Sequence, residues 1–321
     1  MFNTPVLFVI FNRIDTTKKV FESLRKIQPK FLYIAADGPR PNREEDKEKC
    51  EMVRRLVLDN IDWDCQVKTL LRESNLGCGI AVSEAITWFF EHVEQGIILE
   101  DDCLPSDSFF PFCEMMLEQY KHYEQVKMIG GSNFLFSKFD KKNSYYFSNL
   151  GTIWGWATWR RGWEGFNYSM NDYLSFRKSG KLEKKIRNER IIQWLIELMD
   201  SVWSQKEQQA WDIQFFYHLL KSDAIAILPY RNLIQNIGYQ GTHYSNTDYP
   251  FLEMPVMDID INQIYHPRQI EIDYEAEEYG FNNIIKKGLK ESLLNRIRKL
   301  IPPSIREKYR SLKKILKIDN N

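Results

Sequence analysis

Three consecutive acids, Glu100, Asp101 and Asp102, follow the short apolar run at 96–99. Adjacent carboxylates repel one another, so a chain that places three of them together needs a cation or a hydroxyl-rich ligand nearby. If the apolar run is a buried strand, the acids lie at its carboxyl end, where open α/β sheets bind their ligands. The triplet therefore predicts a binding site, and a solvated acidic turn that caps the next helix is the alternative.

Alternating strand and helix patterns surround this acidic triplet in the first half of the chain. Apolar and β-branched runs predict strands and amphipathic runs predict the helices between them, at 5–11, 15–27, 31–36, 43–60, 66–73, 78–93 and 96–99. Strands separated by single helices form βαβ units and pair in parallel. We therefore expect an α/β fold of the Rossmann-like class, with a mostly parallel sheet flanked by helices.

Two further polar residues follow predicted strands and are candidates for binding a nucleotide. No GxGxxG motif follows the first strand and no GxxxxGK[ST] motif occurs, so phosphates must be bound in another way. Arg13 comes after the first strand, and its guanidinium can fork to a phosphate. Asp37 comes after the second strand and can accept a hydrogen bond from a base or a ribose. A loop salt bridge for Arg13 and a turn cap for Asp37 are the alternatives.

Composition restricts the class of protein. The 321 residues include 44 basic and 44 acidic side chains, and 43% of the chain is hydrophobic, enough for a large core. Five cysteines without a CxxC pair argue against a disulfide framework or a zinc knuckle. No apolar run reaches the roughly 20 residues of a transmembrane helix. We expect a cytoplasmic protein that reaches a membrane only from its inner face and does not bind nucleic acid.

The order of several short motifs resembles a known family. FNR at 11–13, ADG at 36–38, NLGCGIA at 75–81 and IILEDD at 97–102 occur in the order found in GT-A glycosyltransferases. The similarity is to the N-acetylglucosaminyltransferase I-like type and its bacterial polysaccharide relatives. Downstream segments of that family are similar to three further runs, GTIWGWATW at 151–159, AWD at 210–212 and IGYQGTH at 237–243. The resemblance spans residues 5–245.

This resemblance implies a GT-A fold with a helical C-terminal extension, inverting sugar transfer and a bound Mn²⁺ or Mg²⁺ ion. It also implies a role for each matching position: Arg13 contacts the diphosphate, Asp37 the uracil, Glu100 and Asp101 the donor sugar and ribose, Thr242 the donor in the closing loop, Asp102 and His243 the metal, and Asp212 acts as the base.

The same roles can be argued from the chemistry of an inverting transfer. The acceptor hydroxyl attacks the anomeric carbon while negative charge develops on the leaving diphosphate. Asp102 with a divalent cation, together with Arg13, would neutralise that charge. Asp212 lies between Trp211 and Ile213, where partial desolvation would make it a better base. The alternative for Asp212 is a cap of the helix that begins there.

Four tryptophans occur between 151 and 163, at positions 154, 156, 159 and 163. Indole rings stack on sugars, so this segment predicts a platform for a saccharide acceptor. The alternative is that these rings pack in the core. Arg160 and Arg161, in the same segment, are candidates for a phosphate contact or for solvated side chains.

The remaining patterns predict the domain organisation. We expect a catalytic domain over 1–245, with a nucleotide-sugar half at 1–135, an acceptor half at 136–245 and a helical insertion at 165–210; an extended wrapping segment at 246–283 follows, and then a basic amphipathic tail at 284–321. This tail carries twelve Lys and Arg against two Glu between 286 and 317, a net charge of about +10. It predicts attachment to an anionic membrane, and docking on the acidic body or a second subunit is the alternative.

Two classes of function are compatible with these patterns. The first is a metal-dependent inverting glycosyltransferase that moves a sugar from a UDP-sugar to a saccharide or a lipid-linked saccharide in surface-polysaccharide biosynthesis. The second is an inert nucleotide-sugar-binding scaffold of a polysaccharide assembly complex. A sugar-nucleotide pyrophosphorylase needs a GxGxR-type loop after the first strand, and FNRIDTTKK at 11–19 is not such a loop.

Overall fold

The computed structural model describes residues 2–139, 141–204, 211–238 and 254–285, and these form an α/β fold around one large sheet. Its strands are β1 (Val6–Ile10), β2 (Phe31–Ala36), β3 (Gln66–Leu71), β4 (Gln95–Glu100), β6 (Val126–Gly130), β7 (Tyr145–Ser148), β8 (Trp156–Trp159) and β9 (Ile225–Pro229). A separate ribbon pairs β5 (Cys103–Pro105) with β10 (Ile234–Asn236).

Nine of the helices in the described residues have these bounds: α1 (Ile14–Ile27), α2 (Glu44–Leu58), α3 (Cys78–His92), α4 (Phe109–Gln119), α5 (Arg160–Trp163), α6 (Tyr173–Lys178), α7 (Lys181–Lys185), α8 (Glu189–Ser204) and α9 (Asp212–Lys221). A further helix, α10, covers 274–285. The four strands and three helices predicted for the first hundred residues are all present, with small shifts at their ends.

The strand order in the sheet is β3-β2-β1-β4-β8-β6-β9-β7. Six strands run in the same direction, while β8 and β7 are antiparallel to their neighbours. The predicted Rossmann-like class, with a mostly parallel sheet flanked by helices, is therefore confirmed. The order reverses between β1 and β4, and the crevice at such a point is where open α/β sheets bind ligands.

The alternation of side chains along β1 builds the layers on both faces of the sheet. Val6, Phe8 and Ile10 point to the core that includes residues of α1, α2 and α4, whereas Leu7 belongs to the core that includes residues of α3 and α9. Each of these side chains is at most 1% exposed. Burial of such a side chain contributes about 1.5–3 kcal/mol, so both layers hold β1 firmly.

The tryptophans of the 151–163 segment serve mainly the core. Trp156, Trp159 and Trp163 are buried, and Trp154 is half-buried against Phe134. The packing alternative is thus confirmed for three of the four rings.

Trp156 also stacks on Trp211, with ring centroids 5.9 Å apart. This contact packs β8 against Trp211, the residue before α9. It therefore holds the first turn of α9 in place against the sheet.

The helical part of the chain forms a third core. Side chains of α6, α7 and α8 pack there with Tyr217 and Leu220 of α9 and with Phe281 and Ile285 of α10. The chain from 254 to 273 has little regular structure and crosses the body. Its Asp258 accepts hydrogen bonds from the backbone N–H and the hydroxyl of Ser108, at the start of α4.

Helix α10 replaces the end of the predicted extended segment. Glu277 of α10 accepts a hydrogen bond from the Ser148 hydroxyl at 2.8 Å, at the end of β7. Phe281 and Ile285 are four residues apart, so the helix places both on the face that meets the third core.

The predicted basic tail lies outside the described residues beyond 285. Within the described residues, no helix is both long enough and apolar enough to cross a bilayer.

A buried histidine on α9 makes the stability of the fold depend on pH. The ring of His218 packs on Phe215, its Nε2 contacts the Gly162 carbonyl at 3.2 Å, and its Nδ1 has no partner. Burial lowers the pKa of His218 to about 4. The unfolded chain therefore binds a proton between pH 6.5 and 4 that the folded chain does not bind.

We expect the free energy of unfolding to fall as the pH is lowered through this window, by on the order of 3 kcal/mol from His218. Urea denaturation of wild type and His218→Gln at pH 7 and at pH 4 measures this term, since the variant lacks the titrating group. His122→Gln, at an exposed histidine, is the matched control. Equal losses of stability in wild type and His218→Gln would contradict the assignment.

Candidate functional site

The carboxyl ends of β1 and β4 bring one arginine and two acids into direct contact. The Arg13 guanidinium donates from Nη1 to Oδ2 of Asp102 at 2.7 Å and from Nη2 to Oδ1 of Asp101 at 2.6 Å. The backbone N–H of Phe11 donates to the other oxygen of Asp101 at 3.2 Å. Parallel pairing of β1 with β4 causes this meeting, because it aligns the residues that leave both strands. The salt-bridge alternative for Arg13 therefore describes this structure.

The pKa values of the charged groups in this site are strongly shifted. Burial raises the pKa of Glu100 well above its ordinary value, and the negative charge of Asp102 raises it further. Burial also raises the pKa of Asp101, while the Arg13 charge opposes that rise. The two acids in turn raise the pKa of Arg13 although burial lowers it, so this guanidinium stays charged.

Asp212 joins this site from the opposite face of the sheet. It is the first residue of α9, directly after Trp211, which is the N-cap residue and makes no side-chain capping bond. Asp212 is thus a first-turn residue of the helix rather than its cap. Its negative charge raises the pKa of Glu100, after burial and the charges of Asp102 and Asp101. Anchoring of Trp211 in the core by Trp156 holds Asp212 there.

Sequence reasoning gave no role to Cys78, which begins α3 beside these acids. It keeps exposed surface, yet desolvation and the negative charge of Glu100, together with that of Asp212, raise its pKa to about 12. The Cys78 side chain is therefore a neutral thiol near pH 7. Its position in NLGCGIA was the only signal in the sequence.

Asp37 lies at the end of β2 and holds the loop that precedes α3. Its carboxylate accepts the backbone N–H groups of Gly38 at 2.9 Å, Leu76 at 3.0 Å and Gly77 at 3.1 Å, as well as the Asn75 amide at 2.8 Å. Gly77 has a φ of +79°, a conformation that suits glycine. Both oxygens of Asp37 are thus engaged by its own chain, and the residue shapes the rim of the site.

A second ion pair positions the FNR segment and was not foreseen. Asp46 of α2 accepts hydrogen bonds from the Asn12 amide at 2.8 Å and from the Arg40 guanidinium at 2.8 Å. The Arg40 group also lies 5.4 Å from the centre of the Phe11 ring. These contacts hold the two residues before Arg13. The charged run at 43–49 does not distinguish Asp46 from its neighbours, because only the folded structure shows that Asp46 is the buried one.

The ribbon of β5 and β10 covers the Asp102 side of the site. The backbone N–H of Ile237 donates to the Asp102 carbonyl at 2.8 Å. A Cβ atom at Gly238 would overlap Oδ2 of Asp102 and would lie 3.0 Å from Nη1 of Arg13. The backbone therefore approaches the ion pair as closely as a residue without a side chain allows. Thr242 and His243 follow this segment and lie outside the described residues.

The donor atoms around Asp102 suit a hard divalent cation. Among the described residues, no group of three His, Cys, Asp or Glu side chains is arranged to enclose a metal ion. Mg²⁺ needs no such cage, because one or two carboxylates with phosphate oxygens and waters complete its shell. The Arg13 guanidinium, a cation, already contacts Oδ2 of Asp102. Contact of this carboxylate with one cation is compatible with its predicted role as a ligand of Mg²⁺ or Mn²⁺.

Arg160 and Arg161, the candidates for a phosphate contact, make contacts within the fold. Arg160 donates to the carbonyl groups of Phe90 and Val93, at the end of α3. Arg161 stacks on Trp159, with its guanidinium carbon 4.1 Å from the ring centre.

Comparisons with known proteins add little to this geometry. No family model matches the chain, and no curated protein matches it. Among solved structures, the chain is similar to HddC from Yersinia pseudotuberculosis, with 11% identity over 50% of this chain and 78% of that one and a TM-score of 0.29. A UDP-glucose pyrophosphorylase complexed with UDP-glucose is similar at 9% identity over 73% and 94% of the two chains, with a TM-score of 0.37.

A cytidylyltransferase from Leptospira borgpetersenii is similar at 11% identity over 52% of this chain and 63% of that one, with a TM-score of 0.29. All three TM-scores lie below 0.5, so these similarities carry no weight for fold or function. The class of the protein follows from its own structure. It is a Rossmann-like α/β protein with a charged site at the point where its strand order reverses.

The loop held by Asp37 gives a test of the geometry. Asp37→Asn removes one acceptor oxygen and puts an NH₂ group against backbone donors, so we expect a loss of about 2–3 kcal/mol in the free energy of unfolding. We also expect faster hydrogen exchange at the amides of Leu76 and Gly77. Asp64→Asn, at an exposed acid, is the control. Unchanged stability and exchange, with loss of nucleotide affinity, would show that Asp37 acts on the ligand instead.

Proposed function

We propose that this protein is a GT-A-type, metal-dependent, inverting glycosyltransferase that uses a UDP-sugar. One observation carries the proposal: Arg13 bridges Asp101 and Asp102 where the strand order reverses between β1 and β4, and the negative charge of Asp212 contributes to the raised pKa of Glu100 there. A cationic fork, metal-binding oxygens and a separate carboxylate are the groups that such a transfer needs. The resemblance of the motif order over 5–245 points to the same activity.

In this proposal, each part of the site handles one part of the donor. Arg13 binds the diphosphate, and the loop that Asp37 holds lies at the rim where the uracil would bind. Glu100 and Asp101 contact the sugar and ribose hydroxyls, and a carboxyl group with a raised pKa can donate as well as accept such hydrogen bonds. By the resemblance of the motif order, Thr242 would contact the donor and His243 would ligate the metal ion.

Asp102 would hold Mn²⁺ or Mg²⁺, which supplies Lewis-acid stabilisation of the leaving diphosphate when bound. Arg13 shares that task as a second positive charge. Asp212 accepts the proton of the acceptor hydroxyl as that oxygen attacks the anomeric carbon. The sugar would be transferred to a saccharide or a lipid-linked saccharide of a surface polysaccharide.

Substitution of Asp212 separates catalysis from binding. The protein is incubated with UDP-sugars and Mn²⁺, and we expect release of UDP, slowly to water and faster to an acceptor. Asp212→Asn keeps the shape of the side chain but cannot take the proton, so turnover should fall by about 100-fold or more. UDP affinity, measured by calorimetry, should stay within about threefold. Glu189→Gln, which removes a first-turn acid from α8, is the matched control.

Three outcomes would contradict this function. UDP binding without any turnover, unchanged by Asp212→Asn, would indicate the inert scaffold. Pyrophosphate release from a nucleoside triphosphate and a sugar phosphate would indicate nucleotidyl transfer instead. Near-normal turnover of Asp212→Asn would remove Asp212 as the base.

We also propose that the basic tail attaches the enzyme to the inner face of the cell membrane. Lys and Arg near an anionic surface contribute about 1 kcal/mol each, and salt screens this attraction. Because Phe281 and Ile285 pack in the third core, the chain should be shortened after Ile285 and not before α10.

A chain that ends at Ile285 should fold and release UDP normally, yet no longer sediment with vesicles of phosphatidylcholine and phosphatidylglycerol. Full-length protein should sediment at low salt and be released at high salt. Sedimentation that is unchanged by the truncation or by salt would contradict membrane attachment. Loss of folding in the truncated chain would show that the tail docks on the protein itself.

A further inference from the structure

Arg13 occupies the oxygen of Asp102 that a metal ion would need. Its guanidinium bridges Oδ2 of Asp102 at 2.7 Å and Oδ1 of Asp101 at 2.6 Å, while the Arg13 side chain is still 30% exposed. The other oxygen of Asp102 faces the Cys103 thiol at 3.5 Å. A divalent cation that approaches Asp102 must therefore first displace the guanidinium or bind beside it.

The surroundings keep the guanidinium close to Asp102. The carbonyl of Arg13 accepts the backbone N–H of Thr17 at 3.0 Å, which fixes the backbone at the start of α1. On the other side, Asn12 is held by Asp46. The close approach of Gly238 covers the Asp102 side of the ion pair. Arg13 can thus change the direction of its side chain, but its backbone cannot carry the charge away.

A bare metal ion gains little at such a site. If it binds beside Arg13, two positive groups lie within a few ångströms of each other in a partly desolvated place. If it displaces Arg13, the guanidinium loses two charge-assisted hydrogen bonds. A diphosphate removes this conflict, since its oxygens accept the guanidinium fork and also bind the metal.

We propose that Arg13 is an electrostatic latch on Asp102, which makes binding of a divalent cation conditional on binding of the nucleoside diphosphate. The inference rests on the proposed function and adds to it an order of events: Arg13 turns from the acids to the phosphates, and only then is Asp102 free for the cation. By thermodynamic linkage, the cation must raise the affinity for the diphosphate by the same factor as the diphosphate raises that for the cation.

The experiment measures Mn²⁺ affinity, not activity. Free Mn²⁺ is titrated by electron paramagnetic resonance at pH 8, with and without UDP, for wild type and Arg13→Met. Wild type should bind Mn²⁺ at least tenfold more tightly with UDP than without it. Arg13→Met should bind Mn²⁺ alone at least tenfold more tightly than wild type does, because Asp102 is then free, and UDP should raise its Mn²⁺ affinity by a smaller factor than in wild type.

Two controls keep the result specific. Arg25→Met removes an exposed arginine of α1 that pairs with Asp62, and it should behave as wild type. Asp102→Asn should abolish Mn²⁺ binding with and without UDP. Arg13→Lys keeps the charge but lacks the planar fork that bridges Asp101 and Asp102, so its affinity for Mn²⁺ alone should lie between those of wild type and Arg13→Met. This variant decides the question if Arg13→Met fails to fold in a thermal melt.

Distinct results would overturn the latch and the proposed function. Wild type that binds Mn²⁺ equally well with and without UDP has no latch. A loss of Mn²⁺ affinity in Arg13→Met under both conditions would likewise show that Arg13 supports the cation site and does not block it. Absence of Mn²⁺ binding in wild type even with UDP would refute the metal-dependent function itself, and the latch with it.

Discussion

The contact of one guanidinium with two carboxylates is the interaction on which the site depends. Asp101 and Asp102 are adjacent in the chain, and the sheet buries the first of them almost completely. Two such charges repel each other, and their desolvation is costly unless a cation lies within hydrogen-bond distance. Arg13 supplies that cation from the neighbouring strand. The pairing of β1 with β4 thus places Arg13 beside the two acids, in addition to forming part of the apolar core.

Polar contacts around this ion pair hold the neighbouring loops against the sheet. Asp46 holds Asn12, and Asp37 holds the loop at 75–77, so that the segments after β1 and before α3 have fixed positions. Both acids bind backbone or side-chain donors of their own chain rather than solvent. They provide the geometric precision that loops alone lack, because buried hydrogen bonds to a charged group resist displacement.

Much of the fold and part of the site were predictable from the sequence. The continuous apolar run of β1, with those at 31–36 and 96–99, indicates buried parallel strands, and the ends of these strands locate Arg13 and the triplet. It was harder to predict the roles of Asp37, Asp46 and the tryptophans, because these roles depend on which partners the fold brings to them. An acid at a strand end looks the same whether it binds a ligand or a loop, and an indole ring looks the same in a core or on a platform.

The acids of the triplet and Asp212 lie on different elements. Glu100 ends β4 and Asp102 follows it, and burial together with the negative charge of Asp102 raises the pKa of Glu100. Asp212 comes from α9, where the stacking of Trp211 on Trp156 fixes the start of the helix. A change of cation at Asp102 therefore alters the charge of the triplet directly, and it acts on α9 only through space.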